Sequence, residues 1–322
     1  MALFDTIDEL KKHNSALQAN LELGNLQSFI DDAITQKLIP AIGFDQYNDF
    51  LAVKEGNAKQ KFALQLAQKA VTGFTIYNYS DNGSVQINGA GILVPYSEKM
   101  RPASDKKLMQ LRKSNIKAAF AALELLVSFL EDNKIDFPIY AVSEERKENR
   151  SLLINTSAEF QKAGVQIGND AQLYQTLRVF QANAEETYII PNLTESLAAS
   201  LKAKMLSNSL TDIEKELLKK VHKALAPYTM IEAVPYLLLN IDSNGVFELS
   251  ETVGGVSGNV ENRNPATERA ISRVLNGYCM KAEQHLETLR KFMKANAEAL
   301  SYTVPTAVLY NDDPNSNIYV LL

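Results

Sequence analysis

This chain carries the same pattern twice. Residues 26–40 laid on residues 177–191 at a constant offset of 151 pair Leu26 with Leu177, Phe29 with Phe180, Ala33 with Ala184, Ile39 with Ile190 and Pro40 with Pro191. Five identities in fifteen positions far exceed the roughly one in sixteen that average composition gives by chance. At offset 154, Lys69-Ala70 fall on Lys223-Ala224, Thr75 on Thr229, Ile87 on Ile241 and Gly91 on Gly245. Solenoid units have periods of about 20–50 residues, so this spacing is that of a duplicated domain. A residue present in only one copy is a poor candidate for chemistry that both share.

The 322 residues leave about 150 per copy, enough for an independent core. The natural division is 1–154 and 155–322. In the first copy Ile7 and Leu10 stand at helical spacing behind Thr6, and Thr156, Glu159 and Phe160 repeat Thr6, Glu9 and Leu10. Leu26, Phe29, Ile30, Ala33, Ile34 and Leu38 share one face of a helix over 25–38. It is expected to stop near Pro40, because a residue before proline is pushed out of the α region. Helices over 44–54 and 58–79 follow. The second copy opens the counterpart of the longer one with a capping box, Thr211 and Glu214, and places Pro227 where a kink is expected.

After these helices the period changes to two. Residues 83–96 and 237–249 read as β-hairpins with turns at Asn88-Gly89 and Asn244-Gly245. Only the second copy has the segment VGGVSGNVE at 253–261, whose glycines, Gly254 and Gly255 among them, predict a mobile surface loop. Each copy then closes with a long amphipathic helix opened by Pro102 or Pro265. Segments 137–155 and 304–322 align with Pro138 on Pro305, and end in apolar runs, Leu152–Ile154 and Ile318–Leu322. They read as extended arms able to add a strand to a neighbour. The expected fold class is mainly α with small β-hairpins (α+β): two tandem homologous helical-bundle domains, each with a hairpin and an extended C-terminal arm.

The residues point to no chemistry. A net charge of −5 and a pI near 5.4 give no electrostatic footprint for specific nucleic-acid binding. The single cysteine, Cys279, allows no internal disulfide and no zinc set. The N-terminus turns acidic at once, unlike a signal peptide, and no stretch approaches the ~18 apolar residues of a membrane span. His13, His222 and His285 have no histidine opposite them in the other copy, and read as helix histidines. No phosphate loop, nucleophile elbow or zinc-protease motif occurs. Asp31-Asp32, Glu144-Glu145 and Asp312-Asp313 are neighbours in sequence and splay on a helix. The expectation is no catalytic residue, no metal and no cofactor. Tyr77, Tyr79, Tyr96 and Tyr140 gather near the first hairpin and linker, and tyrosines beside loops are favoured at protein interfaces.

A resemblance emerges from LFDTIDELKKH, LQSFIDDAITQKLIPAIGFDQYNDF, the RPAS helix start and SLLINTSAEFQKAGVQIGND. These resemble an uncharacterised protein family of Bacteroidota and their tailed phages and prophages, with its helix-ending "LIPLLG"-like and mid-chain "INTAxEF"-like segments. The second copy departs from it, having Thr194 where the glycine would stand and no basic pair after Ile167-Gly168-Asn169. Members are similar in layout to head–tail connector (adaptor) proteins of tailed phages. The resemblance therefore implies a virion protein made in a bacterial host's cytoplasm, assembling with itself in a ring and with portal and tail or neck proteins. It carries no established catalytic residues. The surfaces expected to make such contacts hold Tyr96, Tyr140, Asn244, Gly245, Gly254, Gly255, Ile318, Tyr319, Val320 and Leu321. The alternatives are a cytoplasmic, host-encoded two-domain interaction module, and an enzyme with a site between the copies.

Overall fold

The computed structural model describes residues 3–14, 17, 21–52, 56–82, 86–88, 91–93, 104–237, 239–242, 245–248, 251–254, 260–263 and 266–302. The first repeat contains α1 (Ile7–Lys11), α2 (Gln27–Ala33), α3 (Ile39–Ile42), α4 (Phe44–Ala52), the long α5 (Ala58–Asn82) and α6 (Asp105–Asp132), then α7 (Pro138–Val142) and α8 (Glu144–Asn149). The second contains α9 (Ser157–Lys162), α10 (Ala171–Ala184), α11 (Ile190–Leu193), α12 (Glu195–Ser207) and the long pair α13 (Asp212–Leu237) and α14 (Glu268–Ala295).

The repeat holds down to single turns of backbone. Residues Ile34–Leu38 and Glu185–Ile189, 151 apart, are both π turns. Each runs into a one-turn helix with proline at its second position. The proline does not stop the helix, contrary to the expectation at Pro40. Pro40 has no N–H for the carbonyl of Gln36 and its ring crowds that carbonyl. Widening the turn to a π bulge relieves both while the chain stays helical. The helix ends three residues later at Gly43, at φ 87 and ψ 151, and its equivalent Thr194 has φ 76 and ψ 147.

That conformation belongs to glycine, and a side chain held there costs about 1–3 kcal/mol. Thr194 Oγ1 accepts a long 3.4 Å hydrogen bond from the Leu197 N–H, and replacing such a cap by glycine costs only a few tenths of a kcal/mol. Thr194→Gly is therefore expected to stabilise the protein by about 1 kcal/mol, read as a higher urea midpoint. A lower midpoint would show that the cap outweighs the strain.

Each repeat has its own core. The first gathers Phe50, Phe74, Leu126, Phe137 and their neighbours; the second gathers Phe160, Leu177, Leu225 and Leu289. Burying one such side chain is worth about 1.5–3 kcal/mol, so these clusters outweigh any single polar contact below. Helices α5 and α6 approach through small residues: a Cβ on Gly73 would lie 2.8 Å from that of Ala119. The predicted capping box is present, with Thr211 N–H on Glu214 Oε2 (2.9 Å) and Glu214 N–H on Thr211 Oγ1 (3.3 Å).

The α+β class does not hold. Helices make up most of the described chain, and no β-sheet forms a layer of either repeat. Among the described residues, strands occur only in three separate two-stranded ladders. These are β1 (Gln86–Asn88) with β2 (Gly91–Leu93), β3 (Leu239–Asp242) with β4 (Gly245–Glu248), and β5 (Glu251–Gly254) with β6 (Val260–Arg263). Isolated pairs of this length are marginal by themselves, so the architecture is helical. Their registers also move two expected turns: Asn88 pairs with Gly91 and Asp242 with Gly245, which puts Asn88 and Gly245 inside ladders. Gly254 pairs with Val260, so both ends of the expected loop at 253–261 are strand. The expected extended arm at 137–154 is mostly helical too. Pro138 starts α7, where its missing N–H is harmless, and α8 follows after Ser143.

Candidate functional site

Of the residues expected to meet partners, Tyr96, Asn244, Gly255, Ile318, Tyr319, Val320 and Leu321 lie outside the described residues, as does the arm at 304–322. Gly245 and Gly254 sit in two different ladders. Tyr140 is a correction: it is fully buried in the first core. Its hydroxyl donates to Glu131 Oε1 at 2.9 Å, and its backbone N–H donates to Gln46 Oε1 at 3.1 Å.

That contact belongs to a polar cluster at the junction of the repeats. The side chain of Ser143 caps α8 by accepting the N–H of Arg146 at 3.2 Å. From the first turn of that helix the guanidinium reaches inward and donates twice to Glu131, Nε to Oε1 at 2.6 Å and Nη2 to Oε2 at 3.1 Å. Both side chains are more than nine-tenths buried, and Lys134 and Arg150 stand 3.4 and 3.7 Å from the same carboxylate. Burial pushes the Glu131 carboxyl up, but the hydrogen bond and charge of Arg146 and the charge of Arg150 outweigh it, leaving the group below its usual range. Burial and the Glu131 charge push the Tyr140 phenol well above its ordinary value. Arg146 then spans the junction: Nη2 also donates to the Leu206 carbonyl of the second repeat at 2.8 Å.

A second buried polar cluster grips the chain where it enters the second repeat. Leu153 and Ile154 are fully buried there. Glu185 Oε1 accepts the Leu153 N–H at 2.6 Å, and the Ile154 carbonyl accepts from Tyr174 Oη at 2.6 Å and Gln181 Nε2 at 2.9 Å. His222 Nε2 lies 2.8 Å from the Leu153 carbonyl, so Nε2 carries the proton. Lys202 stands 2.8 Å from Glu185 Oε2, an ion pair without the alignment of a hydrogen bond. The first repeat performs the same task with one amide: Gln68, the counterpart of His222, donates to the Leu3 carbonyl at 3.0 Å. Sequence reading missed this cluster. The signal was present, since offset 151 sets Tyr174, Gln181 and Glu185 against Leu23, Ile30 and Ile34, polar groups where the other copy keeps a core.

Burial lowers the His222 pKa below its ordinary 6.5, despite the opposing charges of Glu159 and Glu185 and the hydrogen bond to Leu153. His13 and His285 shift the same way, chiefly by burial. Each takes up a proton more readily unfolded than folded, so stability is full above pH 6.5 and falls as the pH drops toward the folded-state value. Glu131 and Glu214, with lowered values, act only below the usual 4.5. His222→Gln, which copies Gln68, is expected to flatten the loss of stability as the pH falls below 6.5. An unchanged slope in urea titrations would assign it to other groups.

The rest of the junction is built from α6 against α10. Glu124 accepts from the Ser157 backbone N–H and, at 2.6 Å, from its hydroxyl at the start of α9. Lys117 pairs with Asp170 at 3.6 Å, and Arg178 donates to the Asn149 carbonyl at 2.9 Å. Beside these contacts opens a groove of about 400 Å³, lined by Asp32, Gln36, Tyr77, Ile116, Phe120 and Gln172 among others. Arg112 lies over the Tyr77 ring at 4.7 Å from its centroid. Among the described residues no group of three or more His, Cys, Asp or Glu side chains could hold a metal ion, and no helix is long and apolar enough to cross a membrane. What the two clusters do chemically is hold chain to chain, because their carboxylates, phenols and guanidinium bond backbone and one another.

No curated protein and no solved structure matches this chain. A family described as of unknown function, DUF6712, matches it twice, over residues 24–150 and 189–307. The two matches fall one in each repeat, as the paired π turns and paired long helices do. The chain belongs to the DUF6712 family of unknown function, and carries that family's helical unit in duplicate.

Proposed function

We propose that this protein is a structural component of a tailed-phage virion, a head–tail connector or neck-ring adaptor that acts by protein–protein assembly. The observation that supports this best is the junction itself. Two copies of one helical unit are joined face to back, and the buried polar groups of Arg146, Glu131, Glu185 and His222 hold backbone segments in place. A unit that already docks on its own copy in this manner is suited to a ring, where identical heterologous contacts repeat. Long rigid helices side by side, α5 with α6 and α13 with α14, suit a load-bearing wall. The partners under this reading are further copies of the chain, the portal above and tail or neck proteins below.

The test is reconstitution. The purified chain is mixed with a tailed-phage portal ring, and the native mass of the mixture is measured. A discrete complex larger than the portal ring is expected. A portal ring that leaves the chain unbound, from a gene with no capsid or portal neighbours, would assign the protein to the soluble interaction module instead.

A further inference from the structure

We propose that the outer face of α14 is the docking surface for the first repeat of a second copy of this chain, in a head-to-tail contact that reproduces the junction inside the chain. This rests on the self-association in the reading above, not on the identity of the partners. Helices α6 and α14 are equivalent at an offset of 163. Their core positions coincide, Ala119 with Ala282, Leu126 with Leu289 and Leu130 with Met293, all buried. Both end on an asparagine whose side chain donates 2.9 Å to the carbonyl four residues back, Asn133 to Phe129 and Asn296 to Phe292.

Their outer faces differ in one respect. On α6 the flank of Ile116, Phe120, Glu124 and Val127 borders the second repeat, sharing grooves with Gln172, Gln175, Thr176 and Arg178, while Ile116, Phe120 and Val127 also pack in the first core. On α14 the equivalent positions are Cys279, Glu283, Glu287 and Arg290, and all four are exposed. Next to them Met280, the counterpart of Lys117, is 76% exposed, and Val274 is 48% exposed. A large thioether left in water on a helix face is the kind of anchor that interfaces use. Glu287 stands where Glu124 accepts the N–H at the start of α9. The first repeat supplies the same helix start at α1, with Ile7 in place of Ser157. It also leaves open the residues equivalent to the junction-lining Gln175, Thr176 and Arg178, namely Gly24, Asn25 and Gln27, all exposed.

Among the described residues each chain thus leaves one surface of each kind exposed: the α14 face at one end, where Glu283 accepts from Tyr228 and Arg290 donates to Asn192 of the same repeat, and the start of α1 and α2 at the other. Joining the two is heterologous, and such contacts close into rings or run on as filaments. The α14 face is more polar than its α6 counterpart, with Glu283 in place of Phe120. That suits a contact whose halves exist in water before assembly, unlike one made permanently within a chain.

The native Cys279, exposed on this face, reports on the contact. Ile116 and Thr176 line one groove at the internal junction, so Cys279 and residue 25 of the next chain should come together. Asn25→Cys, an exposed position, is oxidised gently in the full-length protein and run on a non-reducing gel, with the disulfides mapped by mass spectrometry. The expected result is a ladder of dimers, trimers and higher species joined by 25–279 disulfides, and its loss in Asn25→Cys combined with Met280→Glu. Cross-links confined to 279–279 and 25–25 pairs, or no cross-link above background, would overturn the proposal. A 25–279 ladder from a chain that ignores portal protein would keep this contact and remove the connector reading. Portal binding without that disulfide would do the reverse.

Discussion

Arg146→Met is expected to destabilise the protein by about 3 kcal/mol, the lower end of the range for removing one partner of a buried ion pair. The lower end applies because Lys134 and Arg150 remain within 4 Å of the stranded Glu131 carboxylate. The Met side chain fills much of the same volume, so the loss is of charge and hydrogen bonds rather than of packing. Four hydrogen bonds leave with the guanidinium: two to Glu131, one to Ala141 and one across the junction to Leu206. The cross-junction bond gives the variant a second signature. The two repeats, each with its own core, are expected to melt in separate steps where the parent melts with them coupled. Denaturant unfolding followed by circular dichroism measures both. A variant with the parent's midpoint and a single transition would mean the cluster is replaceable by solvent.

Glu185→Ala is expected to cost a similar amount, about 3 kcal/mol, by a different route. The carboxylate is almost completely buried and accepts the Leu153 N–H and a Gln181 amide proton while facing Lys202. Its removal strands a buried backbone donor, which alone costs about 1–3 kcal/mol, and leaves an unpaired cation and a cavity in an apolar core. The damage falls on the second repeat, because Leu153 and Ile154 are the segment that Glu185, Gln181, Tyr174 and His222 hold. Hydrogen exchange should therefore speed up at Leu153 and along α10 and leave α5 and α6 unchanged. Uniform exchange throughout the chain would show that the linker segment is not a local anchor.

Much of this architecture can be read from the sequence, because duplication doubles the signal. The offset of 151 drawn from Leu26, Phe29, Ala33, Ile39 and Pro40 lands on paired π turns and on the Gly43–Thr194 pair. Thr6 and Thr156 precede equivalent helices, with Glu9 and Glu159 each accepting a backbone N–H just ahead of them. Local rules failed where tertiary contacts or an unusual turn decided the outcome. Pro40 read as a stop because the sequence does not show that a π bulge can absorb it. Segment 137–154 read as an arm because a proline, a polar middle and an apolar end fit an extended run. Its polar middle is α8, whose inner turn carries Arg146 to a carboxylate fifteen residues back. Tyr140 read as an interface residue because nothing in its neighbourhood names Glu131 as a partner. The short strand-like stretches form only isolated two-stranded ladders, which do not make a helical molecule α+β.

The face of α14 was legible only in part. Its amphipathic pattern places the core side, where Leu286, Leu289 and Met293 are buried. How the opposite side differs appears only when α14 is laid on α6 and the equivalent residues are compared one by one.

The native mass of the full-length protein, measured by sedimentation over a wide concentration range, tests head-to-tail assembly most directly. A discrete species well above a dimer, growing in with concentration and lost in Met280→Glu, is the predicted result. A monomer at every concentration, or a dimer that Met280→Glu leaves intact, would contradict it.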